Sequence, residues 1–168
     1  MVAKKRGSSV NAIAEAELTK FLEFGVHSEV MDYAVVRKAF LTKLLDYLSE
    51  DEVRDFGQWS ATDLAPETIR FYHGKLGLDS VLNSFERLGA KYSNFYAFRH
   101  ESEGSAHTIV LSHGMGGKWS LFFEANLKKI FFDLGLSLET ELSKNILIGR
   151  FTLPQAVQAS GGKSKKSP

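Results

Sequence analysis

The segment LSLETELSKNILIGRFTL, residues 136–153, constrains the fold more tightly than any other. A two-residue turn at Lys144–Asn145 sets Ser143 against Ile146. Leu142 then meets Leu147, Leu138 meets Phe151 and Leu136 meets Leu153, all on one face, while Glu139 meets Arg150 on the other. Agreement between alternation, charge pairing and turn length is what fixes a strand register. An antiparallel hairpin with one buried face is expected here, and Pro154 stops its second strand.

A second hairpin is expected upstream. NFYAFRHE and HTIVLSH read as strands around the turn SEGS. If that turn is centred on Glu103–Gly104, His100 falls opposite His107. A helix, DSVLNSFERLG, capped by Asp79 and ended at Gly89, comes before it. A longer one, KWSLFFEANLKKIFFDLG, ended by Gly135, separates the two hairpins. The class is therefore α+β: an α-ββ-α-ββ unit over residues 78–153, with a four-stranded antiparallel sheet and helices on one face.

Residues 8–74 read as a helical N-terminal part. Ser8 or Ser9 can cap a helix whose stripe is Val10, Ile13, Ala14, Leu18, Phe21 and Leu22, ended or bent at Gly25. DYAVV is a short extended piece. RKAFLTKLLDYL directs Phe40, Leu41, Leu44, Leu45 and Leu48 inward. SEDE, Ser49 to Glu52, is a capping box that opens a helix carrying Val53, Phe56 and Trp59. Pro66 sits in the first turn of a fourth helix, and the expected boundary lies between Gly74 and Gly77.

SHGMGGKWS, between strand and helix, poses the main chemical question. A phosphate-cradling Walker A loop needs G-x-x-x-x-G-K-[ST]. Here the residue five before Gly117 is Ser112, and Trp119 follows Lys118 where a magnesium-binding hydroxyl is required. The antiparallel reading also conflicts with the parallel crossovers of that fold. GMGG is better read as a tight link whose glycines adopt positive φ. A helix N-terminus can still hold an anion, which makes Gly116, Gly117 and Lys118 the candidate anion or ligand residues.

Other candidates are fewer. His100 and His107 could ligate a metal, but no third ligand accompanies them in sequence. Ser112, Ser120, His113 and Asp133 make no convincing catalytic set, because no G-x-S-x-G elbow surrounds either serine. No enzyme and no cofactor is expected. The helix after the loop is apolar on two sides. Trp119, Phe122, Phe123, Ile130, Phe131 and Leu134 form one stripe, and Leu121, Ala125 and Phe132 a second. It is either covered from both sides, or presents a homodimer interface through Leu121 and Phe132, or lines a ligand pocket.

Charge is concentrated at the ends. Lys4, Lys5 and Arg6 lie at one and Lys163, Lys165 and Lys166 at the other. Set aside those six of the 21 basic residues and the rest of the chain, with 20 acidic ones, carries about −5. Residues 1–7 and 154–168 are expected to be disordered basic tails, able to touch nucleic-acid phosphates without reading sequence. The absence of cysteine excludes disulfides, thiolate metal sites and thiol catalysis. No apolar run reaches the roughly 18 residues that span a bilayer, and no secretory h-region is present, so a cytoplasmic protein is expected, with no membrane partner.

SSVNAIAEAELTKFLEF resembles the second helix of ribbon-helix-helix DNA-binding proteins, in which a similar Ser-x-Asn-Ala-Ile start caps the helix. HGMGGKWSLFFEANLKKIFFDLG resembles an H-x-x-G-x-K-W-S motif of uncharacterised archaeal proteins that carry a ribbon-helix-helix-like segment followed by an α+β domain. The resemblance implies an intracellular binding or interaction module of the regulator type with a homodimeric partner. MVAKKRG, ahead of Ser8, is too short for a base-reading strand and a first helix, so sequence-specific DNA binding is not expected of these residues and dimerisation is the expected role of the helix. The element order of the second half is also similar to small-molecule-binding domains of the vinyl-reductase type. That similarity implies the alternative, a sensor domain with a pocket between sheet and helices.

Overall fold

The C-terminal hairpin takes the register its residues dictate. In the computed structural model, which describes residues 7–154, Glu139 pairs with Arg150 and Leu142 with Leu147. These strands, β3 (Glu139–Leu142) and β4 (Ile146–Thr152), join β1 (Ala97–Glu103) and β2 (Ala106–Ser112) in one antiparallel sheet. The order is β1-β2-β4-β3, with β2 pairing β4 at the centre. The upstream hairpin differs from expectation by two residues. His100 pairs with Ile109 and His107 with Ser102, because the turn is centred on Gly104–Ser105, with Gly104 at φ 59°.

The chain divides into two units, Met1–Val36 and Arg37–Pro168. In the first, α1 (Val10–Lys20) is capped by the Ser9 side chain, which accepts from the Ala12 amide at 3.1 Å. It continues through a π-helical turn (Phe21–Gly25) into α2 (Val26–Val30). Gly25 therefore does not end the helix. It gives room to the Phe21 ring, which an added Cβ would approach to 2.9 Å. No described residue of this unit is buried, and its apolar side chains Val10, Leu18, Phe21, Leu22, Val26 and Val30 are exposed.

The second unit holds the core. It contains α3 (Lys38–Asp46), α4 (Glu50–Trp59), a π-helical turn (Ser60–Leu64) and α5 (Ala65–His73). These are followed by α6 (Leu78–Ser84), which runs on as π helix over Phe85–Tyr92, and by α7 (Gly117–Asp133). The expected boundary at Gly74–Gly77 falls inside this unit. The Ser49–Glu52 capping box forms in full. Gly77, not Asp79, is the N-cap of α6. Gly89 does not end that helix; the Tyr96 hydroxyl would lie 2.1 Å from a Cβ there, so the glycine admits a ring.

Helix α7 is covered from both sides. Phe131 meets Phe151 of the sheet at 4.8 Å between ring centroids, and on the other side Phe122 meets Phe56 of α4 at 5.2 Å. Ile109, Leu111, Leu127, Phe131 and Leu147 are fully buried between the layers. Of the residues expected to point inward, Leu45 and Val53 are buried, whereas Phe40, Leu44, Phe56 and Trp59 are exposed. The inward row of α3 is Leu41, Leu45 and Leu48.

The α4–α7 crossing is set by Gly57, where an added Cβ would stand 2.5 Å from the Phe122 carbonyl oxygen. Backbone cannot yield as a side-chain tip can. Gly57→Ala is expected to lower stability by about 1–3 kcal/mol through overpacking, despite the better helix propensity of alanine. Urea denaturation of the two proteins checks this; an unchanged or raised midpoint would show that the helices can separate at little cost.

Candidate functional site

The segment from Ser112 to Ser120 leaves β2, turns at Gly114 (φ 67°) and Gly116 (φ 91°), and enters α7. Positive φ at both glycines agrees with the tight-link reading. His113 is only 5% exposed. Its Nδ1 accepts from the Met115 amide at 3.1 Å. The proton therefore resides on Nε2, which donates to Ser120 Oγ at 3.0 Å. Ser120 in turn donates to the Ser143 carbonyl at 2.7 Å. The His113 amide donates to the Asn145 carbonyl at 3.0 Å, and the Gly116 amide to Asn145 Oδ1 at 2.9 Å. The loop is thus clasped to the β3–β4 turn.

Lys118 reaches elsewhere. Its ammonium donates to the Asp46 carbonyl at 3.0 Å and to the Leu48 carbonyl. Asp46 ends α3 and Leu48 lies just beyond it, so the ammonium caps the C-terminal end of the helix, where the dipole favours a cation. Burial, and then the positive charge of Lys38, hold the His113 imidazole down at about 4, so it is neutral at physiological pH. The hydrogen-bond polarity is opposite to that of a nucleophilic pair. There the serine donates to the histidine and a carboxylate receives the other ring N–H. Here the histidine donates, and its other nitrogen is taken by backbone.

His100 Nε2 lies 2.9 Å from His107 Nδ1, and the rings stack with each other and with Phe151. The slipped register makes them diagonal neighbours on one face of the sheet. Burial and then His100 lower the pKa of His107. Among the described residues no three His, Asp or Glu side chains gather as a metal set. Leu121 packs half-buried against the core, whereas Phe132 is exposed. Lys4, Lys5, Arg6, Lys163, Lys165 and Lys166 lie outside the described residues. No described helix is long and apolar enough to cross a membrane.

A groove of about 490 Å³ opens between α6 and the edge strand β1. Asp79, Leu82, Asn83 and Glu86 form one wall; Phe98, Arg99 and His100 form the other. The helical residues follow the i, i+3, i+4, i+7 spacing that shares one face. Asn83 Oδ1 is buried with no hydrogen-bond partner. Such an atom costs about 1–3 kcal/mol unless something donates to it. The sequence reading missed this site. The spacing was legible in DSVLNSFE and the strand in NFYAFRHE, but not that the two would face each other across a groove.

No family model matches the sequence, and no curated protein matches it. Among solved structures, the chain is similar to a mutant H-NOX protein from K. algicida in its Fe(II) unliganded form. The identity is 15%, the TM-score is 0.49, and the match covers 74% of this chain and 78% of that one. A likeness of that size assigns neither a family nor a ligand.

Proposed function

We propose that the chain is a non-enzymatic small-molecule-binding module of the sensor type, with the groove between α6 and β1 as its ligand site. The observation that carries this reading is a groove of about 490 Å³ in which Leu82 and Phe98 stand beside the polar side chains of Asp79, Asn83 and Glu86. Sites of this kind combine apolar walls with a few placed polar groups. A non-catalytic role is supported by the structural bonds that already engage His113, Ser120 and Lys118. The test is a thermal-shift screen over amines, carboxylates, nucleotides and neutral metabolites. A ligand that binds only the folded state raises the melting temperature. The expected result is stabilisation by one class, lost in Asn83→Leu. Stabilisation by magnesium–ATP that vanishes in Lys118→Ala would overturn the reading in favour of the loop.

A second reading, an interaction module that pairs as a homodimer, is favoured by the run from Val10 to Val30. Helical segments that bury none of their residues have no tertiary source of stability, and isolated helices of such length are marginal in water. Native mass spectrometry distinguishes the two: a dimer that Leu18→Glu with Leu22→Glu dissociates supports association through this face, and a monomer at all concentrations removes it.

A further inference from the structure

We infer that the free edge of β1 pairs with the same edge of a second copy of the chain, antiparallel and about a two-fold axis at His100. The sheets of the two copies then join, whether or not the groove holds a ligand. β1 stands at the end of the sheet order, so its outer row of backbone N–H and C=O groups has no neighbouring strand. It is 7 residues long, against 4 for β3 at the opposite edge. All of its residues except Phe98 are exposed. An open edge of that length is a template for another strand.

The side chains select both partner and register. A two-fold axis normal to a sheet keeps its faces, so for two identical antiparallel strands the axis passes through a residue, and residues equally far from it meet. An axis at Arg99 opposes arginine to arginine, and one at Glu101 opposes glutamate to glutamate. At Ser102 it sets Glu101 against Glu103, and at Phe98 little of the strand overlaps. His100 is the midpoint of Ala97–Glu103, and an axis there lets the whole strand pair. Arg99 then meets Glu101 of the second copy, and Glu101 meets its Arg99. Within one chain these two side chains already pair at 3.3 Å, both exposed, so the exchange leaves no charge alone. Charges on an edge strand commonly prevent pairing. Here their order makes the same strand, in one register, the complementary partner.

The chain has no cysteine, so single cysteines report the register directly. With the axis at residue 100, its two copies have Cα atoms about 4.5–5.5 Å apart, within reach of a disulfide. The two copies of residue 102 lie about 14 Å apart, at about 3.4 Å per residue. The full chain carrying His100→Cys is expected to form a disulfide-linked dimer under mild oxidation, and Ser102→Cys is not. A second arm, sedimentation equilibrium, does not depend on the cysteine variants. It is run with Leu18→Glu and Leu22→Glu present throughout, so that the N-terminal helical face does not contribute. Arg99→Glu should raise the dimer Kd at least about tenfold, because both symmetry-related pairs become repulsive. Adding Glu101→Arg restores opposite charges and should bring the Kd back to within about threefold. Crosslinking at residue 102 as ready as at residue 100 overturns the inference. So does a charge exchange that fails to restore pairing, or a chain that stays monomeric at millimolar concentration.

Discussion

Replacing Trp119 with alanine is expected to cost about 3–5 kcal/mol of folding stability. The side chain is 4% exposed and sits in the first turn of α7. Its ring meets Phe95, Phe122 and Phe123 at centroid distances of 5.3, 5.1 and 5.7 Å. Truncation would open a cavity lined by three rings that are themselves held by Phe56, Tyr96 and His113, so collapse cannot fill it. The indole Nε1 has no partner among the described residues. Trp119→Phe removes that desolvated N–H together with some ring area, so its penalty should be well under that of alanine. Denaturation of the three proteins checks the order. Tryptophan emission, with Trp59 replaced as background, should be that of a buried indole. A loss below about 1 kcal/mol for alanine would mean that the ring does not hold α7 in place.

The second large effect is a loss of stability in mild acid. The folded protein keeps His113 neutral down to about pH 4, whereas the unfolded chain protonates near 6.5. Acid therefore binds preferentially to the unfolded chain. The contribution is complete above pH 6.5, shrinks as pH falls, and is gone by about pH 4. The shift corresponds to on the order of 3 kcal/mol. His107 and His73 are also lowered, chiefly by burial, and act in the same direction. The His113 share is isolated by comparing the pH dependence of wild type and His113→Gln rather than their absolute stabilities. The glutamine variant is expected to start less stable and to fall less steeply between pH 6.5 and 4. Parallel curves would show that the imidazole is not desolvated.

How far each feature could be read follows from what fixes it. The second hairpin was legible because charges and leucines agree on one register. In the first, a slip of two residues leaves every side chain on its original face, so the pattern could not choose. Gly25 and Gly89 read as helix ends because glycine usually ends helices. Their actual role is to admit the rings of Phe21 and Tyr96, and Tyr96 belongs to a separate segment. The outward turn of Phe40 and Leu44 was hidden because α3 is apolar on more than one side. The bond from Lys118 to carbonyls some seventy residues earlier has no local signature. The spacing in HGMGGKWS marked the right segment but not its partners, since Ser143 and Asn145 come from another hairpin.

The most direct test of the central claim, that this segment is a clasp and not a chemical site, is side-chain nitrogen NMR of His113 through a pH titration. Nδ1 accepts from Met115 and Nε2 donates to Ser120, which requires the neutral, Nε2-protonated form. The expected spectrum shows that tautomer at neutral pH and a midpoint near 4. A midpoint near 6.5, or a proton on Nδ1, would contradict the clasp and leave the imidazole free to act as a base.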